Sequence, residues 1–163
     1  LFDEELIRNQ DDDYNFRVSQ AGGAIFFNAE ISLKYYVRGD FNGLWRQFFQ
    51  YGYWKVYVNR KHKSVTTLRQ IVPPLFVLYL MIFLLNISSV QFLLLNIPFI
   101  VYCIAVAYFS LKLKQSNRSL SWLGFLSTFP IIHLSYGLGY LKGILEFFFL
   151  NKKPSDKQKR LSR

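Results

Sequence analysis

One cysteine in 163 residues rules out an internal disulfide. Cys103 lies in an apolar run that would hold its thiol protonated, so it reads as a packed side chain and not a nucleophile. Also missing are a glycine-rich phosphate loop, a Cys/His metal spacing, a serine triad, an internal repeat and a basic-then-apolar secretory leader. The chain opens acidic and without methionine, and reads as the C-terminal piece of a longer protein. Acid is scarce after residue 40. Residues 1–40 hold eight of the ten acids, residues 41–70 hold none against six bases, and the remainder holds two against ten. The net charge of +10 is thus a basic collar and tail on an acidic head. Bases clustered beside apolar runs suit anionic lipid headgroups, whereas nucleic acid calls for bases spread over a soluble face. Lipid is the expected partner and nucleic acid is not.

The apolar runs are long. Residues 71–87 are uncharged, with Pro73-Pro74 in the first turn, where missing amide hydrogens cost little. Residues 92–111 form a second run with Pro98 as a kink, and the polar stretch 86–91 between them predicts a turn and a membrane hairpin. Lys112, Lys114 and Arg118 then place both hairpin ends in the cytoplasm. A third run, 120–141, holds Pro130, His133 and several glycines. The basic tail 151–163 also prefers the cytoplasm, which favours a bent or non-spanning third segment. His133 reads as a hydrogen-bonded packing residue, and Gly139 with Gly143 as a pair permitting close helix packing. Aromatics, 19% of the chain, suit a membrane interface.

Before the apolar runs, a helix is expected over 11–20, stopped by Ala21-Gly22-Gly23. Strands are expected at Ala24–Phe27 and Ile31–Val37. After an Asp40 N-cap, a helix over 41–58 is expected at the interface, with Gly52 bending or ending its first part. The domains are therefore an α/β unit at 1–40, an interfacial helix and basic collar at 41–70, a membrane region at 71–150, and a disordered tail at 151–163.

Three consecutive carboxylates, Asp11-Asp12-Asp13, repel one another. They either form a solvated helix start or do chemistry, since a crowded carboxylate holds a proton more readily and serves as a general base. His62, in a basic loop, is expected only to add charge toward headgroups.

The stretch FDEELIRNQDDDYNFRVSQAGGAIFF resembles the C-terminal part of the catalytic domain in family 2 glycosyltransferases. These are inverting enzymes of GT-A fold, and the nearest subgroup comprises the bacterial membrane transferases of exopolysaccharide synthesis, of the succinoglycan type. The Phe-Asp-Glu loop is matched by Phe2-Asp3-Glu4, and the acidic motif by Gln10-Asp11-Asp12-Asp13. Arg17, Ala21-Gly22-Gly23, the aromatic-basic segment Arg46–Lys55 and the run His133–Tyr140 also match.

The resemblance implies an α/β GT-A fragment joined to membrane helices, in a multi-pass protein of the bacterial inner membrane with its catalytic part in the cytoplasm. It implies Asp11 as the base that deprotonates an acceptor hydroxyl, with Asp12 as fallback, Asp3 toward the acceptor and Arg17 as support. Gln10 stands where the motif has Glu, and Tyr14 where Leu is usual. Gln50-Tyr51-Gly52-Tyr53-Trp54 is similar to the Gln-x-x-Arg-Trp motif of processive synthases, with Tyr53 in place of Arg. By that likeness Trp54 stacks on an acceptor sugar and Gln47 or Gln50 bonds its hydroxyls; membrane anchoring is the other reading of Trp54. The donor is a nucleotide sugar, the acceptor a lipid-linked glycan or polysaccharide, and a divalent cation is implied with its ligands outside this chain. The alternative is a non-enzymatic membrane subunit whose acidic head is a docking surface.

Overall fold

A computed structural model describes residues 1–34, 36, 39–85, 92–116 and 121–153, with backbone only for 92–95. Its elements are α1 (Gln10–Gln20), α2 (Phe41–His62), a 3-10 turn (Leu68–Ile71), α3 (Val72–Leu85), α4 (Phe92–Ser116), α5 (Trp122–Gly143) and a π-helical extension (Ile144–Phe149).

Local chemistry sets the helix ends. Asp11, Asp12 and Asp13 occupy the first turn of α1, where negative charge meets the positive end of the dipole. Gly22, at φ 76°, ends it: the Gly22 N–H donates to the Ser19 carbonyl and the Gly23 N–H to the Val18 carbonyl, the paired bonds of a left-handed C-terminal cap. Asp40 starts α2 by accepting the Gly43 N–H at 2.6 Å. Arg60, Lys61 and His62 fill the last turn of α2, where cations suit the dipole.

The main contact is between α2 and α5. Phe49 lies against Gly139, Val56 against Gly143, and Arg60 donates to the Phe147 carbonyl, so the two helices run side by side in the same direction. Gly52 makes the reciprocal approach, facing the Tyr136 carbonyl. The helix continues through Gly52, which is a point of contact and not the bend or end expected from sequence. Around this seam Leu6, Tyr53, Trp54, Val56, Val58, Tyr140 and Phe147 form the core. The third apolar segment is one helix through Pro130. Against it α3 packs antiparallel, with Pro73 beside Gly137 and Phe76 beside His133. On α4, Tyr102 bonds the His133 ring nitrogen at 3.1 Å, which gives His133 the packing role read from sequence.

Two helical stretches, Leu68–Leu85 and Asn96–Ser116, are long and apolar enough to cross a membrane. Only 22% and 11% of these windows is buried inside the protein, whereas a soluble core helix would be mostly covered. The second extends past the expected residue 111, so Lys112 and Lys114 belong to α4. The turn expected at 86–91, Arg118 and the tail beyond residue 153 lie outside the described residues.

The α/β unit expected for residues 1–40 is not formed, and this part is no GT-A fragment: among the described residues there is no strand. Ala24–Phe27 and Ile31–Leu33 are irregular and exposed, with Phe26 at 88% and Phe27 at 86%; Tyr35 and Val37 lie outside the described residues. A strand needs a neighbour to take up its N–H and C=O groups, and β-propensity measures fit to such a neighbour. Alternating apolar residues without one have nothing to pair with.

Candidate active site

A cavity of about 490 Å³ opens where four elements meet. Asn9 precedes α1 as its cap residue, and Asp11 and Asp12 come from α1; Phe48, Tyr51 and Lys55 come from α2; Thr67, Arg69, Gln70 and Pro73 from the approach to α3 and its first turn; Ile132 and Tyr136 from α5. Asn9 anchors α1 here by donating its side-chain amide to the Tyr51 carbonyl at 3.2 Å. Arg8 helps, donating to the Gln50 side-chain oxygen at 3.1 Å.

The three adjacent carboxylates have different environments. Asp13 is fully buried, paired with Arg17 at 3.0 Å and with the His62 ring at 2.7 Å. Phe16 lies against the other side of that histidine, 4.6 Å between centroids. His62 is thus an internal partner of Asp13 and not a headgroup-facing charge. Asp12 holds the Lys55 ammonium at 2.7 Å; that side chain is only 8% exposed. Among the described residues Asp11 makes no ion pair, and it stands exposed at the cavity. One carboxylate is therefore available to a ligand while its neighbours hold α1 in place.

Deeper in, Gln70 is 4% exposed. Asn59 Oδ1 faces the Thr66 N–H and hydroxyl at 3.4 Å, which makes Nδ2 the donor to Gln70 Oε1 at 3.0 Å and to the Tyr140 hydroxyl at 3.1 Å. Among the described residues Gln70 Nε2 is left as a buried donor with no partner, on a residue lining the cavity. An unmet buried donor costs about 1–3 kcal/mol, which a bound oxygen would recover.

The remaining sequence candidates lie elsewhere. Asp3 pairs with Lys61 and accepts the Glu5 N–H, tying the leading loop to the end of α2. Arg17 supports Asp13 and also donates to the Leu1 carbonyl at 2.8 Å. Gln47 donates to the Tyr51 hydroxyl at 2.9 Å. Trp54 is 2% exposed, packed edge-on to Tyr53 and Tyr57 and close to Phe147. It is core, neither an open stacking platform nor a membrane anchor, and with Gln50 it borders a second cavity of about 530 Å³. The rings that line the first cavity with Asp11 are Phe48, Tyr51 and Tyr136. Among the described residues no three His, Cys, Asp or Glu side chains are grouped to hold a metal ion.

Tyr57 fastens the leading loop from the other side, donating to Glu5 at 2.8 Å. Burial and then this bond push its hydroxyl up to about 12. A raised value means a contribution to folding that is intact below pH 10 and lost as pH rises toward 12. Absorbance titration is expected to show the Tyr57 contribution near pH 12 moving only part of the way down in a Glu5→Gln variant, because burial, the larger cause, remains.

No family model matches the chain, and no solved structure matches it. The succinoglycan biosynthesis protein ExoA of Rhizobium meliloti (strain 1021) is 32% identical over 72 residues. That match takes in 44% of this chain and 22% of the relative, so the chain corresponds to a minor part of that protein's length.

Proposed function

We propose that this chain is the acceptor-side, membrane-anchored part of a bacterial glycosyltransferase of exopolysaccharide synthesis. The similarity to a succinoglycan biosynthesis protein supports the class of product. The observation that carries the reading is the first cavity, lined by Asp11, which makes no ion pair among the described residues, and by Gln70, whose Nε2 has no partner among them, with Phe48 and Tyr51 in the same wall.

In this reading an acceptor glycan enters the cavity and one hydroxyl meets Asp11. The carboxylate takes the proton as the oxygen attacks the anomeric carbon of a nucleotide sugar. The bond to the nucleoside diphosphate breaks on the opposite face, and the configuration inverts. Asp12 is the poorer base, because protonation would strip the Lys55 ammonium of its partner. Phe48 or Tyr51 gives the sugar an aromatic face, and Gln70 Nε2 donates to one of its oxygens. The acceptor is lipid-linked or a growing polysaccharide. In this reading the donor site, and the ligands of the divalent cation that the resemblance implies, are supplied by the rest of the enzyme. The two apolar helices hold the site at the inner face of the cytoplasmic membrane, with the basic residues on the cytoplasmic side.

Membranes carrying the full-length protein should transfer labelled sugar from a nucleotide sugar to extracted lipid-linked or polymeric acceptor. Gln70→Leu is expected to raise the acceptor KM about tenfold, the worth of one hydrogen bond, with kcat far less affected. An unchanged acceptor KM in a folded variant would remove Gln70 from the acceptor site. No transfer with any nucleotide sugar would contradict the enzymatic reading.

A further inference from the structure

The second cavity lies on a different side of α2. It is lined by Trp45, Arg46, Phe49, Gln50, Tyr53 and Trp54, and by Lys142 of α5. Two cations and four aromatic rings meet here, and none of the lining residues is acidic. The Lys142 ammonium sits 5.8 Å from the Phe49 centroid and 5.9 Å from that of Tyr53. Among the described residues neither Arg46 nor Lys142 forms an ion pair. The acid one turn beyond, Glu146, is held by the Tyr53 hydroxyl at 2.5 Å and by Lys152 at 3.7 Å.

The surroundings identify the occupant. Trp45 of the lining is exposed, and Leu138 and Leu145, one helical turn to either side of Lys142, are exposed too, so apolar side chains flank the cation. An aromatic-lined hollow with two unpaired cations, set in an apolar rim on a protein with two bilayer-length helices, matches an amphiphile with an anionic head. A neutral sugar would leave both cations unanswered. A polyanionic glycan would leave the apolar rim uncovered.

We propose that this cavity binds the phosphate headgroup of an anionic membrane phospholipid. Arg46 and Lys142 take the phosphate, and the Trp45 and Phe49 rings lie along the glycerol and the first acyl carbons. The site is separate from the acceptor cavity and does not depend on the glycosyltransferase reading. It seats the α2–α5 pair at a fixed depth in the headgroup layer.

The test uses the full chain with Trp122→Phe, which leaves Trp45 and Trp54, both in this cavity, as the fluorophores. The protein is reconstituted in phosphatidylcholine vesicles with increasing brominated phosphatidylglycerol, or with brominated phosphatidylcholine as the comparison. Quenching is expected to saturate at a low fraction of the anionic lipid and to stay low with the zwitterionic one. Arg46→Gln with Lys142→Gln should raise the half-quenching fraction about tenfold, while Arg46→Lys with Lys142→Arg should restore it. Both residues are exposed, so circular dichroism should be unchanged. Equal quenching by the two lipids, or an unaltered double glutamine variant, would overturn the proposal. Relief of quenching by millimolar inorganic phosphate, or by an anionic oligosaccharide, would overturn it too, by assigning the site to a free anion or to a glycan.

Discussion

Gly139→Ala is expected to destabilise the protein by about 3 kcal/mol and to pry α2 from α5. A Cβ at position 139 would lie 2.0 Å from the Phe49 carbonyl oxygen, and one at Gly52 would lie 2.1 Å from the Tyr136 carbonyl oxygen. Both obstacles are backbone atoms inside helices, which cannot swing aside as a side-chain tip can. Relief requires the helices to separate, and the core around Tyr53, Trp54, Val56 and Phe147 opens with them. Phe48, Tyr51 and Lys55 on α2 face Ile132 and Tyr136 on α5 across the first cavity, so acceptor binding should fail in the same variant. Gly124→Ala is the control. Its nearest outside neighbour is Ser121 Cβ at 3.9 Å, so it should be neutral or stabilise by up to about 1 kcal/mol through helix propensity. Unfolding in detergent, followed by circular dichroism, separates the two. Equal midpoints would mean that α2 and α5 do not pack through Gly139.

That seam was legible in the sequence as the Gly139/Gly143 spacing, because small residues four apart have few other uses in an apolar helix. The helix ends were legible too: Asp40 and Gly22 act through bonds to residues two or three positions away, and local chemistry does not wait for the fold. The strands were not. Ile25, Phe26, Ile31 and Leu33 carry the composition of a sheet, but a sheet is a property of neighbours and the described residues supply none.

Trp54 misled for a related reason. Tryptophan beside basic residues looks interfacial, and only the arrival of Phe147 from the far end of the chain makes it core. His62 lay 49 residues from Asp13, and no periodicity links a collar histidine to a first-turn aspartate. For Lys55 the sequence shows only a cation between Trp54 and Val56; that both are buried, and that Asp12 meets the ammonium, appears only in the fold. Gln70 had no signal. Its importance rests on one unpaired nitrogen, which exists only once Asn59, Thr66 and Tyr140 are in place.

The largest effect on activity is expected from Asp11→Asn. Asparagine keeps the shape and cannot accept the proton, so transfer by the full-length protein should fall about a thousandfold, within the usual worth of a positioned general base. Stability should fall by no more than about 1 kcal/mol, the worth of a negative charge in the first turn of α1, because among the described residues Asp11 has no ion pair to lose. Asp12→Asn provides the contrast. It leaves the Lys55 ammonium in a nearly closed site without its counter-charge, and should cost stability on the order of 2 kcal/mol. The decisive measurement is the initial rate of sugar transfer by Asp11→Asn in membranes, beside its unfolding midpoint. The expected result is a rate near background with the midpoint lowered at most slightly; a rate equal to that of the unaltered protein would contradict the assignment of Asp11 as the base.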